Sequence, residues 1–169
     1  ETIMELSSGQ LHETVVAYQN DQDMTQYLER IYNKTASLFT TASQSGAILS
    51  GASEHEIQAL RDYGYNLGMA FQIVDDILDY EGDAEEVGKP VGNDLRHGIF
   101  TLPALLYREE NPKDNSINDL FAHPDEQERL SSTLQAITAS SAIIDSYKQA
   151  QEYGHKARLC LKNLSKNPS

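Results

Sequence analysis

The chain is predicted to be all-α, and three observations predict it. Long stretches space their apolar residues three and four apart; no stretch alternates apolar and polar residues as a half-buried strand would; and helix-type punctuation separates the stretches. At 169 residues the chain has the length of one domain and enough material to bury a core. Residues 1–169 therefore read as one unit.

The chain opens in mid-pattern, with apolar residues at Ile3, Leu6, Leu11, Val15 and Tyr18 and no capping residue in front, as in a chain cut from something longer. Asn20 to Asp23 form a turn. A second helix is expected from about Thr25 to Ser50, with Leu28, Ile31, Thr35, Leu38, Ala42, Gly46 and Leu49 on one face and Lys34 flanking it. Ser53-Glu54-His55-Glu56 is a capping box, and it opens a helix that should end near Tyr80. In that helix Leu60, Leu67, Phe71, Val74 and Leu78 are predicted to make the core face, with Gly68, Gln72 and Asp76 continuing a stripe beside it. From Glu81 to Gly98 the periodicity lapses, and glycines, a proline and an acidic run mark a surface loop. A short helix is predicted over Thr101–Glu110, with Pro103 in its first turn and Asn111-Pro112 as its stop. Ser116–Phe121 reads as another, a further helix begins at Pro124, and a long last one covers about Ala142 to Leu164. In that last helix Ile143, Tyr147, Ala150, Gly154, Ala157, Leu161 and Leu164 hold core periodicity over many turns.

Composition excludes several functions. A formal net charge of −13 argues against nucleic acid or an anionic membrane surface as the main partner. The single cysteine, Cys160, excludes an intrachain disulfide and a cysteine-based zinc cluster, which fits a reducing, cytoplasmic setting. No apolar run approaches the twenty or so residues of a transmembrane helix.

The stretch Phe71-Gln72-Ile73-Val74-Asp75-Asp76-Ile77-Leu78-Asp79 sets carboxylates into an otherwise apolar helix. Asp75 and Asp79 stack one turn apart, and Asp76 sits beside them, three residues before Asp79. Three like charges at that spacing repel unless a cation joins them. Hard oxygen ligands that leave room for water and substrate phosphates describe a Mg2+ site. A solvated acidic face is the alternative. Lys34 and Lys89 could meet charge on a metal-bound diphosphate that Mg2+ leaves unneutralised. Other motifs fail on spacing. Asp79, Glu81 and Asp83 mimic the start of a calcium loop, but Ala84 and Pro90 stand where the glycine and the bidentate glutamate belong. Gly88-Lys89-Pro90 lacks the upstream glycine and the hydroxyl residue of a phosphate loop.

Lys34-Thr35-Ala36-Ser37-Leu38-Phe39, Gly46-Ala47-Ile48-Leu49, Gly64 through Asp79, Gly88-Lys89-Pro90, Gly92-Asn93-Asp94-Leu95 and Thr101-Leu102-Pro103 succeed one another in an order that resembles the C-terminal half of the trans-isoprenyl diphosphate synthases. The resemblance covers nearly the whole chain. It is closest to the medium- and long-chain bacterial polyprenyl type, to which heptaprenyl diphosphate synthases belong.

The resemblance implies the C-terminal part of the isoprenoid synthase fold, all-α around a central cavity. In that cavity an allylic diphosphate ionises with Mg2+ as cofactor, and its cation alkylates isopentenyl diphosphate. By the same resemblance, Asp75, Asp76 and Asp79 would hold the metal, with Asp94 acting through a water. Lys34, Thr35, Gln72 and Lys89 would meet the diphosphates, and Phe71 would wall the cavity. Lys34 and Asp75 should then face one cavity from adjacent helices. Assembly as a homodimer, or with a second component, is implied too. Two departures from the family pattern matter. Ile99 stands where many relatives carry a lysine before Thr-Leu-Pro, and the family's first aspartate-rich motif and its isopentenyl-binding basic residues belong upstream of these 169 residues. The chain alone is expected to be inactive, and product length is not encoded in it. The alternative is a non-catalytic or regulatory component of a heteromeric synthase. Intact Asp75, Asp76, Asp79, Lys34 and Lys89 favour the catalytic reading.

Overall fold

The computed structural model describes residues 2–81 and 91–164, apart from the side chains of Gln10, His12 and Asn163. These residues form helices and connecting turns, with no strand among them. Helix α1 spans Thr2–Val16, α2 Met24–Ile31, α3 Ser37–Leu49 and α4 Glu54–Glu81. After the undescribed residues 82–90 come α5 (Asn93–Arg96), α6 (Leu102–Glu110), α7 (Ser116–Ala122), α8 (Gln127–Thr138) and α9 (Ala142–Cys160), which ends in a 3-10 turn over Leu161–Asn163.

Local chemistry sets most boundaries. Asp23 caps α2 by accepting from the Gln26 backbone N–H at 2.8 Å, while the Gln26 side chain accepts from the Asp23 N–H at 3.1 Å. Ser53 and Glu56 close the expected box at the head of α4, where the Glu56 carboxylate accepts from the Ser53 N–H at 2.9 Å. Pro103 stands in the first turn of α6, where a missing N–H costs nothing.

The 28-residue α4 is the central element, packed against α3 on one flank and α9 on the other. Its core face is Met69, Ile73, Ile77 and Tyr80, buried together with Leu102, Leu105 and Phe100. Ile73 and Ile77 are wholly buried, and each such side chain contributes about 2 kcal/mol by leaving water.

The predicted core face of α4 is therefore corrected. Phe71, Val74 and Leu78 are 55%, 36% and 44% exposed, and Leu60 and Leu67 are only half-buried. The helix is apolar on two sides, and the core built with Phe100, Leu102 and Leu105 covers the side that carries Ile73 and Ile77. The expected continuous helix over Thr25–Ser50 is also broken, by a single π-helical stretch at Tyr32–Ala36. The extra residue in that wide turn rotates the helix beyond it, so Leu38 and Leu49 face outward while Ala36, Ser37, Thr40 and Ala47 are buried. Three smaller boundaries move. Pro124 lies three residues ahead of α8, the loop before Ile99 contains α5, and Leu161 is 38% exposed beyond the end of α9. Most of the apolar stripe of α1 points away from the domain, with Ile3, Leu11 and Val15 at least two-thirds exposed, while Val16 at its end is buried.

Candidate functional site

The site forms where α4 crosses the π turn. A glycine is required at the crossing, because a Cβ on Gly68 would stand 2.6 Å from the Ala36 Cα and 2.9 Å from its Cβ. Backbones that close bring the next residue on the stripe, Gln72, against Thr35. The wide π turn carries Lys34 and Thr35 together, a backbone irregularity of a kind that often accompanies functional sites.

A chain of hydrogen bonds then runs inward. The Thr35 hydroxyl donates to Gln72 Oε1 at 2.5 Å. Gln72 Nε2 donates to Asp76 Oδ1 at 2.8 Å and to Asp75 Oδ2 at 3.2 Å. From the far side, the Tyr27 hydroxyl donates to Asp76 Oδ2 at 2.8 Å. Asp76 is 4% exposed, and both of its oxygens accept from neutral donors. Burial is the largest influence on it and pushes its pKa up from 3.8 to about 7, against the opposing pull of the Gln72 and Tyr27 hydrogen bonds. Burial also raises Tyr27 well above the usual phenol value, and the charge of Asp76 adds to the effect.

The two neighbouring aspartates sit differently. Asp75 is exposed. Asp79, at the end of α4, accepts from the backbone N–H groups of Asn93 at 3.1 Å and Asp94 at 2.9 Å, while its carbonyl accepts from Gly92 N–H at 2.7 Å. These bonds fasten the head of α5 to the aspartate helix and bring Asp94 close. Burial first, and the charge of Asp79 second, lift Asp94 to about 6.

Cations complete the arrangement. Lys34 Nζ pairs with Glu13 Oε2 of α1 at 2.7 Å. Arg30, 3% exposed, donates to the Phe100 carbonyl at 2.5 Å and to Gln22 Oε1 at 3.4 Å, and its guanidinium lies 5.6 Å from the centre of the Tyr27 ring. Glu13, Arg30, Ile31, Lys34, Gln72, Asp76, Asp94, Ile99 and Thr101 line one small polar cavity of about 10 Å³, the room of a single water. Ile99 thus contributes an apolar wall.

Lys34, Thr35, Gln72, Asp75, Asp76, Asp79 and Asp94 are accordingly connected through α4, the π turn and α5. Phe71 lies on the adjoining exposed face, its ring 5.5 Å from that of Phe39. Lys89 falls outside the described residues. Sequence reasoning missed Glu13, Tyr27 and Arg30. A signal for the last two was present, since Tyr27 and Arg30 precede Lys34 by seven and four residues, on its own helical face. Nothing local marks Glu13, whose partner lies twenty-one residues away.

Fold and site together define an all-helical protein with a carboxylate-rich cavity beside an ion-paired lysine. A family model described as Polyprenyl synthetase matches residues 1–138, and the chain belongs to that family. It is 40% identical over 157 residues to heptaprenyl diphosphate synthase component 2 of Bacillus subtilis (strain 168), covering 93% of this chain and 45% of that protein. The crystal structure of heptaprenyl diphosphate synthase from Staphylococcus aureus superposes with a TM-score of 0.94 at 32% identity, covering 99% of this chain and 52% of that one. A polyprenyl synthase from Caulobacter crescentus CB15, complexed with calcium and isoprenyl diphosphate, gives a TM-score of 0.89 at 32% identity, covering 98% of this chain and 52% of that one. The chain thus spans about half the length of the relatives it matches.

Proposed function

We propose that these residues form the second half of a trans-prenyltransferase active site, which ionises an allylic diphosphate and extends it with isopentenyl diphosphate. The observation that carries this reading is the bonded path Thr35–Gln72–Asp76–Tyr27, which sets Gln72 and Asp76 in the wall of a small cavity that Lys34 and Asp94 also line.

The donor set fits Mg2+. Asp75 and Asp79 offer hard oxygens, although among the described residues no three carboxylate, imidazole or thiol groups stand together to hold a metal ion unaided, so waters and diphosphate oxygens would have to complete its coordination. A Mg2+ ion here would keep waters and take oxygens from diphosphate, as it does in sites that use one or two carboxylates. Bound there, the metal would neutralise the charge that develops as diphosphate leaves carbon. Asp94 would orient a metal-bound water, and Asp76, expected from the sequence as a metal ligand, is buried between Gln72 and Tyr27 and would act through Gln72, whose amide it fixes. Thr35 and Gln72 face the diphosphate, Lys34 and Lys89 add positive charge, and Phe71 walls the apolar side. Water must be excluded there, since an allylic cation is otherwise quenched to an alcohol.

Half a clamp does not position a leaving group, so the chain alone is expected to show no chain elongation. The Bacillus relative is named as component 2 of its synthase, and that name supports assembly with a second component. A homodimer is the other assembly, and the exposed apolar stripes of α1 and α4 suit either. Calorimetry with Mg2+ and inorganic diphosphate tests the site directly. Saturable diphosphate binding that depends on Mg2+ and is lost in Asp75→Ala supports the reading. No binding under any metal condition refutes it and leaves a helical component without a diphosphate site.

A further inference from the structure

The ion pair between Glu13 and Lys34 has no part in the proposed chemistry, although it occupies the cation that chemistry needs. Helix α1 reaches the site through a second close crossing. A Cβ on Gly9 would stand 2.9 Å from Lys34 N and 3.1 Å from Asn33 C, so only glycine lets α1 lie on the π turn. One helical turn further, Glu13 meets Lys34 Nζ at 2.7 Å, with side chains 19% and 36% exposed. The pair is sheltered on the carboxylate side and still reachable by solvent on the lysine side.

Charge around the cavity then decides what can bind at its mouth. Of the cations among the described residues that line it, Arg30 is turned to the carbonyl of Phe100 and the amide oxygen of Gln22, and Lys34 is matched by Glu13. Asp76 and Asp94 line the same cavity, with Asp75 and Asp79 beside them. A bare diphosphate would meet a surplus of negative charge. One that arrives with a divalent cation brings its own compensation, and the lysine can then be shared between Glu13 and a phosphate oxygen.

We propose that Glu13 is a positioning residue that makes this site selective for metal-bound over bare diphosphate, by holding the charge of Lys34 in reserve. The proposal rests on the diphosphate reading of the site. It is tested on the 169-residue chain with inorganic diphosphate, titrated with Mg2+ present and again with the metal chelated. Glu13→Gln should strengthen metal-free binding about fivefold, on the scale of one released charge pair, and change binding with Mg2+ no more than about twofold. Glu13→Asp keeps the charge and should keep metal-free binding weak. Without any ligand, acylation of Lys34 followed by mass spectrometry should run several-fold faster in Glu13→Gln. If Glu13 merely packed against Lys34, Glu13→Gln would leave the ratio of the two affinities unchanged, and that result overturns the proposal while the diphosphate reading stands. An unchanged acylation rate overturns it as well. A parent chain that binds no diphosphate with Mg2+ defeats the diphosphate reading and the selectivity with it.

Discussion

Replacing Asp76 by asparagine should make the protein more stable at alkaline pH and leave it nearly unchanged at acid pH. In the folded chain the carboxyl is buried and its pKa stands at about 7, against 3.8 for an ordinary aspartate. The folded form therefore keeps a proton that the unfolded chain gives up between about pH 4 and pH 7. Stability falls as pH rises through that window and levels off above it. At about 1.4 kcal/mol per pH unit, the gap comes to about 4 kcal/mol at pH 8. An asparagine keeps an oxygen for Gln72 and turns an amide toward the Tyr27 hydroxyl, so the hydrogen-bonded shell survives without a charge to bury. For a chain of this length the gain corresponds to a melting temperature about 10 °C higher at pH 8. The difference should fall by more than half between pH 8 and pH 5, and should reach near zero only below about pH 4. Circular-dichroism melts of parent and variant across pH 5 to 8, without metal, measure it. Because Asp94 is also raised, to about 6, the quantity to follow is the difference between the two proteins and not either curve alone. A difference that stays constant with pH, or a variant less stable at pH 8, would refute the account of Asp76 as a buried, costly carboxylate.

Gly68→Ala should lower stability by about 2 kcal/mol, read from the urea midpoint, because the new methyl would meet the Ala36 backbone and not a movable side chain. Asp75→Ala, tested in a full-length enzyme that carries this half, should reduce turnover by orders of magnitude while the melting temperature changes little, since the residue is exposed. Unchanged turnover would remove Asp75 from the metal site. The outward stripe of α1 should make the chain self-associate at tens of micromolar, and Leu11→Arg with Val15→Arg should shift sedimentation toward the monomer. A chain already monomeric at that concentration contradicts the interface reading.

Whether a feature could be read in the sequence depends on where its signal resides. Gly68, Gln72 and Asp76 repeat every four residues, and a period is a local property, so the stripe could be read directly, although the sequence put it beside the core face and the structure buries it. The choice between the two apolar sides of α4 could not. Phe71, Val74 and Leu78 are as hydrophobic as Ile73 and Ile77, and only the distant residues that pack on the helix, Phe100, Leu102 and Leu105 among them, decide which set is covered. The π turn left no mark in Tyr32-Asn33-Lys34-Thr35-Ala36 that distinguishes it from ordinary helix, so every face assignment after it slipped out of phase. Glu13 escaped for a related reason: an ion pair between helices depends on the crossing that Gly9 permits, and that glycine reads locally as a weak point in α1.

The adjacent pair Asp75-Asp76 makes physical sense once the helix is in place. Successive residues on an α-helix point about 100° apart, so one member of a doublet at the edge of a buried seam must face inward and the other outward. Asp76 faces inward, and the groups that hold it are an amide and a phenol, neither of which carries charge. Neutral donors orient a carboxylate without cancelling its field. Arg30, the nearby cation, directs its N–H groups to the Phe100 carbonyl and the Gln22 side chain instead. Asp75 faces out, and Gln72 ties its orientation to that of its buried neighbour. Exchanging the two roles would require rotating α4 by about 100°, which would pull Gly68 off Ala36 and Gln72 off Thr35 together. The same contacts that pack the helix therefore decide which aspartate is buried and which faces solvent.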